Sequence, residues 1–144
     1  MKKAPEDKND YYYFLPIQTR WMDNDVYGHV NNVTYYSYFD TVANHFLIEQ
    51  AGLDIHAADI VGFVVASACE YYAPISYPQI IHAALRVNKI GSKSVEYGIA
   101  IFDESRLSLR ASGTFTHVFV ERSSGQSVAI PQAIRDSLES ILIS

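Results

Sequence analysis

The strongest constraint on the fold is one long stretch with helical spacing, in a chain whose other apolar stretches mostly alternate with a period of two. From about Asn32 to Ala51, apolar side chains recur at helical intervals and form one wide stripe, made of Tyr35, Tyr38, Phe39, Val42 and Phe46. Asn31 or Asn32 can cap the start of this helix, and Gly52 supplies its stop. No other long segment has such strong helical periodicity, so we expect this helix to lie across a sheet as its central buried element.

The strands are predicted from alternating apolar residues and from turn residues between them. The first runs from Tyr11 to Met22, where Tyr13, Leu15, Ile17 and Trp21 share a face with Thr19. Four more follow the helix, at Gly62 to Ala73, Ile80 to Ile90, Ser94 to Phe102 and Leu107 to Glu121. A short amphipathic helix from about Pro131 to Leu142 ends the chain, and residues 1 to 10 are predicted to be a loose tail. The sequence therefore predicts one α+β domain over residues 1–144, with an antiparallel sheet of about five strands.

Composition narrows the class of protein. With 49% hydrophobic and 19% charged residues, the chain is too apolar to be disordered. Its formal charge of −5 argues against a nucleic-acid partner, which requires a basic surface. The one cysteine, Cys69, excludes an internal disulfide and a cysteine-rich zinc site, and we expect it to be a core residue. Neither a signal peptide nor a membrane span is evident, so we expect a soluble cytoplasmic protein without membrane contact.

A polar run precedes the predicted long helix. Residues 20–32 read RWMDNDVYGHVNN, a run that holds two acids, a glycine and a histidine and ends in two consecutive asparagines at the predicted helix start. A carboxylate can act as nucleophile or general base, and the first N–H groups of a helix have no partner within the helix and favour negative charge. Such a run is suited to act on an electrophilic carbonyl. Its acids can equally be turn or capping residues.

The segment DVYGHVNN at 25–32, placed after a first strand and before a tyrosine-rich helix, is similar to the signature of a known family. It resembles the hotdog-fold acyl-CoA thioesterases of the 4-hydroxybenzoyl-CoA thioesterase type. The resemblance covers nearly the whole chain, including the strand order, the Gly-Ser-Lys-Ser turn at 91–94 and the length. It implies that the sheet wraps the long helix. It also implies homodimers, often paired again into homotetramers, with active sites at the dimer interface.

The same resemblance assigns roles to individual residues. Asp25 aligns with the catalytic carboxylate, and the backbone N–H near Asn32 aligns with the group that polarises the thioester carbonyl. His29 is a candidate for binding substrate, orienting Asp25 or holding the loop. Asp23 is either a supporting acid or a solvated loop residue. Whether Asp25 attacks directly or activates water stays open.

Further candidates would bind the substrate. Gly28 permits the tight turn, Asn31 caps the helix or contacts substrate, and Tyr35 is a candidate for contact with the acyl group. The phosphates of coenzyme A require cations, for which the hairpin around Gly91 offers Arg86, Lys89, Ser92 and Lys93, although an ordinary solvated turn has the same composition. The histidines lack the spacing of metal ligands and no serine lies in a G-x-S-x-G elbow, so we expect neither a metal site nor a serine hydrolase.

The sequence thus predicts an enzyme that hydrolyses an acyl-CoA, or an acyl-carrier-protein thioester, to a carboxylic acid and a thiol without a cofactor. A non-catalytic dimeric module that binds acyl thioesters or aromatic acids is the alternative from another class. A hotdog dehydratase acting on 3-hydroxyacyl thioesters is a third interpretation, which the position of the acid in this loop disfavours.

Overall fold

The computed structural model describes residues 7–143, which form five strands and two α-helices. In chain order these are β1 (Tyr13–Gln18), α1 (Thr34–Ala51), β2 (Ile60–Tyr71), β3 (Ile80–Ile90), β4 (Ser94–Phe102), β5 (Leu109–Glu121) and α2 (Gln132–Glu139). Two short 3₁₀ turns, Lys8–Asp10 and Trp21–Asp23, flank β1. No helix among these residues is long and apolar enough to cross a membrane.

The strands form one antiparallel sheet in the order β1-β3-β4-β5-β2. Gln18 pairs with Ile80, and Tyr71 pairs with Ala111, so the C-terminal ends of β1 and β2 lie at the same end of the sheet. The turn between β3 and β4 lies at the other end. The segment between β1 and α1 therefore approaches the end of β2.

Helix α1 packs one face against the sheet and supplies much of the core. Its fully buried residues include Phe39, Val42 and Leu47, and the ring of Phe39 meets Phe115 of β5 edge to face. The helix ends at Gly52, whose φ of 70° is the left-handed conformation in which glycine terminates helices. This arrangement confirms the predicted α+β hotdog fold, with about five antiparallel strands and one long central helix.

The predicted bounds are accurate for β3 and β4 and less so for β1. The predicted strand from Tyr11 to Met22 is wrong beyond Gln18, because the chain turns into the 3₁₀ helix Trp21–Asp23. Trp21 is 75% exposed and does not share the buried face of β1. Of the predicted loose tail, residues 1–6 lie outside the described residues, and Lys8–Asp10 form the first 3₁₀ turn.

Candidate active site

The segment that carries Asp25 is a tight hairpin-like turn. Asn24 and Val30 form an isolated antiparallel bridge, and the Asp25 N–H donates to the carbonyl oxygen of His29 at 2.9 Å. The Gly28 N–H donates to the carbonyl oxygen of Asp25 at 3.1 Å, and Gly28 has a φ of 82°. A residue with a Cβ rarely adopts that angle, so glycine is what permits the turn.

Asp25 is half-buried, and one of its two carboxylate oxygens can still accept a hydrogen bond. Its Oδ1 accepts a hydrogen bond from the Tyr27 N–H at 2.9 Å, which is a local aspartate turn. Its Oδ2 makes no hydrogen bond with any residue from 7 to 143. The interpretation of Asp25 as a turn residue thus accounts for Oδ1 only, and Oδ2 is available to act as a nucleophile or a base.

Asp23 is a buried anchor and not a solvated loop acid. It is 2% exposed, and it accepts hydrogen bonds from the backbone and guanidinium of Arg20 and from the hydroxyl of Tyr38 at 2.8 Å. Desolvation, the largest single influence, would raise the pKa of Asp23, but these hydrogen bonds together outweigh it and hold the pKa below its usual value. Asp23 therefore ties the loop that carries Asp25 to α1 as a carboxylate.

The turn that leads into α1 uses nearly all of its backbone donors. The Asn31 N–H donates to the carbonyl oxygen of Asp23 at 2.8 Å, and the Val33 N–H donates to the side-chain Oδ1 of Asn31 at 3.0 Å. The N–H groups of Thr34 and Tyr35 donate to carbonyl oxygens of the preceding turn. Within residues 7–143, the Asn32 N–H donates to nothing. The side chain of Asn31 thus caps this turn. The backbone N–H of Asn32, just before α1, is the one donor of the turn that has no acceptor among the described residues.

An open pocket of about 400 Å³ adjoins this donor. Three of its seven lining residues are tyrosines, and the lining consists of Val30, Asn32, Tyr35, Tyr71, Tyr72, Ala73 and Pro74. Tyr35 is buried, and desolvation raises its pKa to about 12, so its hydroxyl is neutral at physiological pH. Cys69 packs against the core, and desolvation raises its pKa to about 11, which suits the predicted core residue and not a thiolate nucleophile.

His29 is exposed, and its ring makes no hydrogen bond with the described residues. Its carbonyl oxygen accepts a hydrogen bond from the Asp25 N–H and so closes the turn that carries Asp25. Among residues 7–143, no group of three or more histidine, cysteine or acidic side chains is arranged to hold a metal.

The four candidates for phosphate binding lie on β3 or in the β3–β4 turn, away from the end of the sheet that carries Asp25. Strand β3 starts at Ile80, which pairs with Gln18, and is eleven residues long. At the usual rise per residue, its start and the hairpin turn at its end are roughly 30 Å apart. Ser92 and Lys93 lie in that turn and have exposed side chains, and Lys89 Nζ lies 3.8 Å from Glu96. Arg86 stacks over the ring of Tyr11 and donates to the carbonyl oxygen of Asp10, so it helps to hold the N-terminal segment.

Sequence reasoning missed two tyrosines of this site. Tyr38 binds Asp23, and Tyr71 donates from its hydroxyl to the carbonyl oxygen of Asn32 at 2.9 Å. Tyr38 appears in the sequence only as one member of the apolar stripe. The contact of Tyr71 joins residues 39 positions apart, and no local pattern indicates it.

A five-stranded antiparallel sheet packed against one long helix defines a hotdog-fold protein. The model of the thioesterase-like superfamily matches residues 19–138. The chain belongs to this superfamily. No curated protein gives a significant match.

Solved structures include relatives at several distances. The PA5185 protein from Pseudomonas aeruginosa is 52% identical, with a TM-score of 0.93, and the match covers 95% of this chain and 96% of that one. PA2801, a putative thioesterase from the same organism, is 25% identical over 87% of this chain and 96% of its own, with a TM-score of 0.81. Slr0204, a 1,4-dihydroxy-2-naphthoyl-CoA thioesterase from Synechocystis, shares the fold at 15% identity, with a TM-score of 0.80 and coverage of 90% of this chain and 96% of that chain.

Proposed function

We propose that this protein is an acyl-CoA thioesterase that hydrolyses a coenzyme A thioester, or an acyl-carrier-protein thioester, to a carboxylic acid and a thiol. The observation that carries the proposal is that, among residues 7–143, one short segment holds both a carboxylate oxygen without a hydrogen bond, on Asp25, and a backbone N–H without an acceptor, on Asn32. The two residues lie in adjoining turns of one segment, which backbone hydrogen bonds attach to Asp23 through Asn31 and to Ile75 through Val30. Membership of the thioesterase-like superfamily supports the same reaction class.

The chemistry follows from these two groups. Asp25 either attacks the thioester carbonyl carbon, giving a mixed anhydride that water then cleaves, or takes a proton from a water molecule that attacks in its place. In both cases the carbonyl oxygen gains negative charge and accepts a hydrogen bond from the Asn32 N–H, at a helix start that favours negative charge. The C–S bond then breaks, and the thiolate leaves with a proton taken from water or from the protonated base.

The substrate would enter beside the helix start. Asn32 itself lines the pocket formed by Tyr35 and Tyr71, which is the candidate site for the acyl group or the adjoining thioester arm. Gly28 and Asn31 shape the turn, and His29 lies exposed on its rim as a candidate for contact with substrate. The acyl chain is not specified by these contacts.

A homodimer would complete the site. Strand β2 is an edge strand, and its side chains Phe63, Val64 and Val65 are exposed apolar groups on an edge that can accept another strand. Antiparallel pairing of two β2 edges would bring the β3–β4 turn of the partner, with Lys89, Ser92 and Lys93, to the end of the sheet that carries Asp25. Within one chain Asp25 and the β3–β4 turn lie at opposite ends of the sheet, and in such a dimer Asp25 of one chain would lie near this turn of the other. The site would therefore be shared by two chains. Pairing of dimers into tetramers stays a prediction.

A panel of thioesters tests the proposal. Purified protein is incubated with short-chain, long-chain and aromatic acyl-CoA thioesters, and released thiol is measured with a chromogenic disulfide. We expect stoichiometric thiol and carboxylic acid from at least one member of the panel. Saturable binding of these thioesters without thiol release would contradict hydrolysis and favour the binding module. Loss of water from a 3-hydroxyacyl thioester with the thioester intact would favour the dehydratase.

A further inference from the structure

The hydroxyl of Tyr71 reaches from the last residue of β2 to the start of α1. It donates to the carbonyl oxygen of Asn32 at 2.9 Å, and the Tyr35 N–H donates to the same oxygen at 3.4 Å. The ring of Tyr71 stands perpendicular to the ring of Tyr35, with 4.9 Å between the ring centroids. Aromatic pairs favour this edge-to-face arrangement, so the stack fixes the direction of the hydroxyl.

Two consecutive peptide groups are thereby held in place. The peptide between Asn32 and Val33 is bound at its oxygen by Tyr71 and at its N–H by the side chain of Asn31. The peptide between Asn31 and Asn32 is bound at its oxygen by the N–H of Thr34 at 2.9 Å. Its own N–H, that of Asn32, is the donor left free. A donor that is already fixed stabilises a developing charge without reorganisation during the reaction.

We infer that Tyr71 is a positioning residue for this reaction, which orients the Asn32 N–H through its hydrogen bond to the next peptide. The inference rests on the proposed function. In this role Tyr71 does not contact the reacting atoms and affects only the direction of the Asn32 N–H.

The chemistry of the Tyr71 hydroxyl suits this role. Desolvation, together with the nearby Cys69, raises the pKa of Tyr71 well above its ordinary value, so the hydroxyl keeps its proton and donates across the working pH range. Tyr71 also lies at the end of an edge strand, and its side chain is partly exposed.

The test is Tyr71→Phe, which removes the hydroxyl and keeps the ring that packs on Tyr35. A neutral hydrogen bond contributes about 1 kcal/mol, so its loss corresponds to a fall in kcat of roughly 3- to 10-fold, with KM within about 2-fold of the wild type. The matched control is Tyr13→Phe. It removes a hydroxyl that lies 2.6 Å from Nδ1 of His45, a residue in the C-terminal half of α1. We expect this control to retain full kcat.

A second readout separates positioning from general loss of structure. The backbone amide signal of Asn32, followed by ¹⁵N NMR, should shift in Tyr71→Phe and stay unchanged in Tyr13→Phe. An unchanged kcat, a rise in KM alone, or a fall in kcat without a shift of the Asn32 signal would each overturn the role of Tyr71. If the wild-type chain hydrolyses no thioester, the proposed function fails and this inference fails with it; an active wild type with an unaffected Tyr71→Phe overturns the inference alone.

Discussion

At the scale of single residues, the core contains a histidine that the proposed reaction does not use. His117 of β5 is 1% exposed, and its Nδ1 lies 3.2 Å from the hydroxyl of Tyr97, which is fully buried on β4. Desolvation lowers the pKa of His117 to about 4, against an ordinary value of 6.5. The folded protein therefore holds this imidazole neutral under conditions in which the unfolded chain would protonate it.

This difference makes stability depend on pH. Between about pH 6.5 and pH 4 the unfolded state binds a proton that the folded state does not, so the free energy of unfolding falls as the pH falls. The full effect is on the order of 3 kcal/mol. Urea denaturation at pH 7, 5.5 and 4.5 should show this loss, and His117→Phe should flatten it. Replacement of the exposed His56 by Gln should leave the pH dependence as it is, and an equal pH dependence in His117→Phe would refute the assignment.

Local sequence predicts the parts of the site that are local. The roles proposed for Asp25 and Asn32 rest on one short run, and the geometry of Gly28 follows from glycine chemistry alone. The bonds from Tyr38 to Asp23 and from Tyr71 to Asn32 span 15 and 39 positions and arise only when α1 and β2 pack beside the loop. A tyrosine in an apolar stripe has the same pattern whether or not its hydroxyl meets a buried acid.

At the scale of elements, the start of α1 combines a capping function with the proposed catalytic one. The turn from Asn31 to Val33 precedes the first helical residue, Thr34, and its side-chain cap is the Oδ1 of Asn31. Capping by asparagine satisfies a donor that the helix cannot satisfy itself.

The 3₁₀ helix Trp21–Asp23 explains why the sequence predicts a first strand that is too long. The Asp23 N–H donates to the carbonyl oxygen of Arg20 and closes the 3₁₀ turn, and the Asp23 side chain accepts a hydrogen bond from the Arg20 N–H; alternation of apolar residues indicates neither bond.

Removal of this cap should destabilise the protein. We expect Asn31→Ala to lower the free energy of unfolding by about 1 kcal/mol, because the Val33 N–H loses its acceptor. Asn31→Asp should restore it, since a carboxylate accepts the same bond and suits the positive end of the helix. Urea denaturation at neutral pH measures both. Asn44→Ala, in the middle of α1, removes only an exposed amide that bonds Asp40 and should have a smaller effect; equal effects at the two positions would contradict the capping role.

At the scale of the whole molecule, the fold leaves one long apolar edge open. Strand β2 is twelve residues long and pairs with β5 along one side only. Its register shifts between Val64 and Ala66, and Val65, between them, is 59% exposed. Long exposed apolar edges favour pairing with another strand, and soluble proteins usually protect them. The sequence predicted β2 as a strand, but its position at the edge depends on the order of all five strands.

Introduction of a charge at this edge should separate the proposed dimer. We expect Val65→Lys to shift the protein from dimer to monomer in sedimentation velocity, because a lysine on an edge strand opposes pairing. Thiol release should fall with it, since the site would lose the groups of the partner. Leu107→Lys replaces another exposed apolar residue outside β2 and should change neither quantity. A wild type that sediments as a monomer and is fully active would contradict the shared site.

The central claim, that Asp25 drives thioester hydrolysis, is tested most directly by kcat/KM for Asp25→Asn. The assay uses the thioester from the panel that the wild type hydrolyses fastest. The amide keeps the shape of the side chain and lacks the charge needed for attack or for proton abstraction, so kcat/KM should fall by at least about 100-fold. The melting temperature and the Kd for a non-hydrolysable thioether analogue should stay close to those of the wild type. Asp40→Asn, which changes an exposed acid of α1, should leave kcat/KM unaltered; hydrolysis by Asp25→Asn at the wild-type rate would contradict the account.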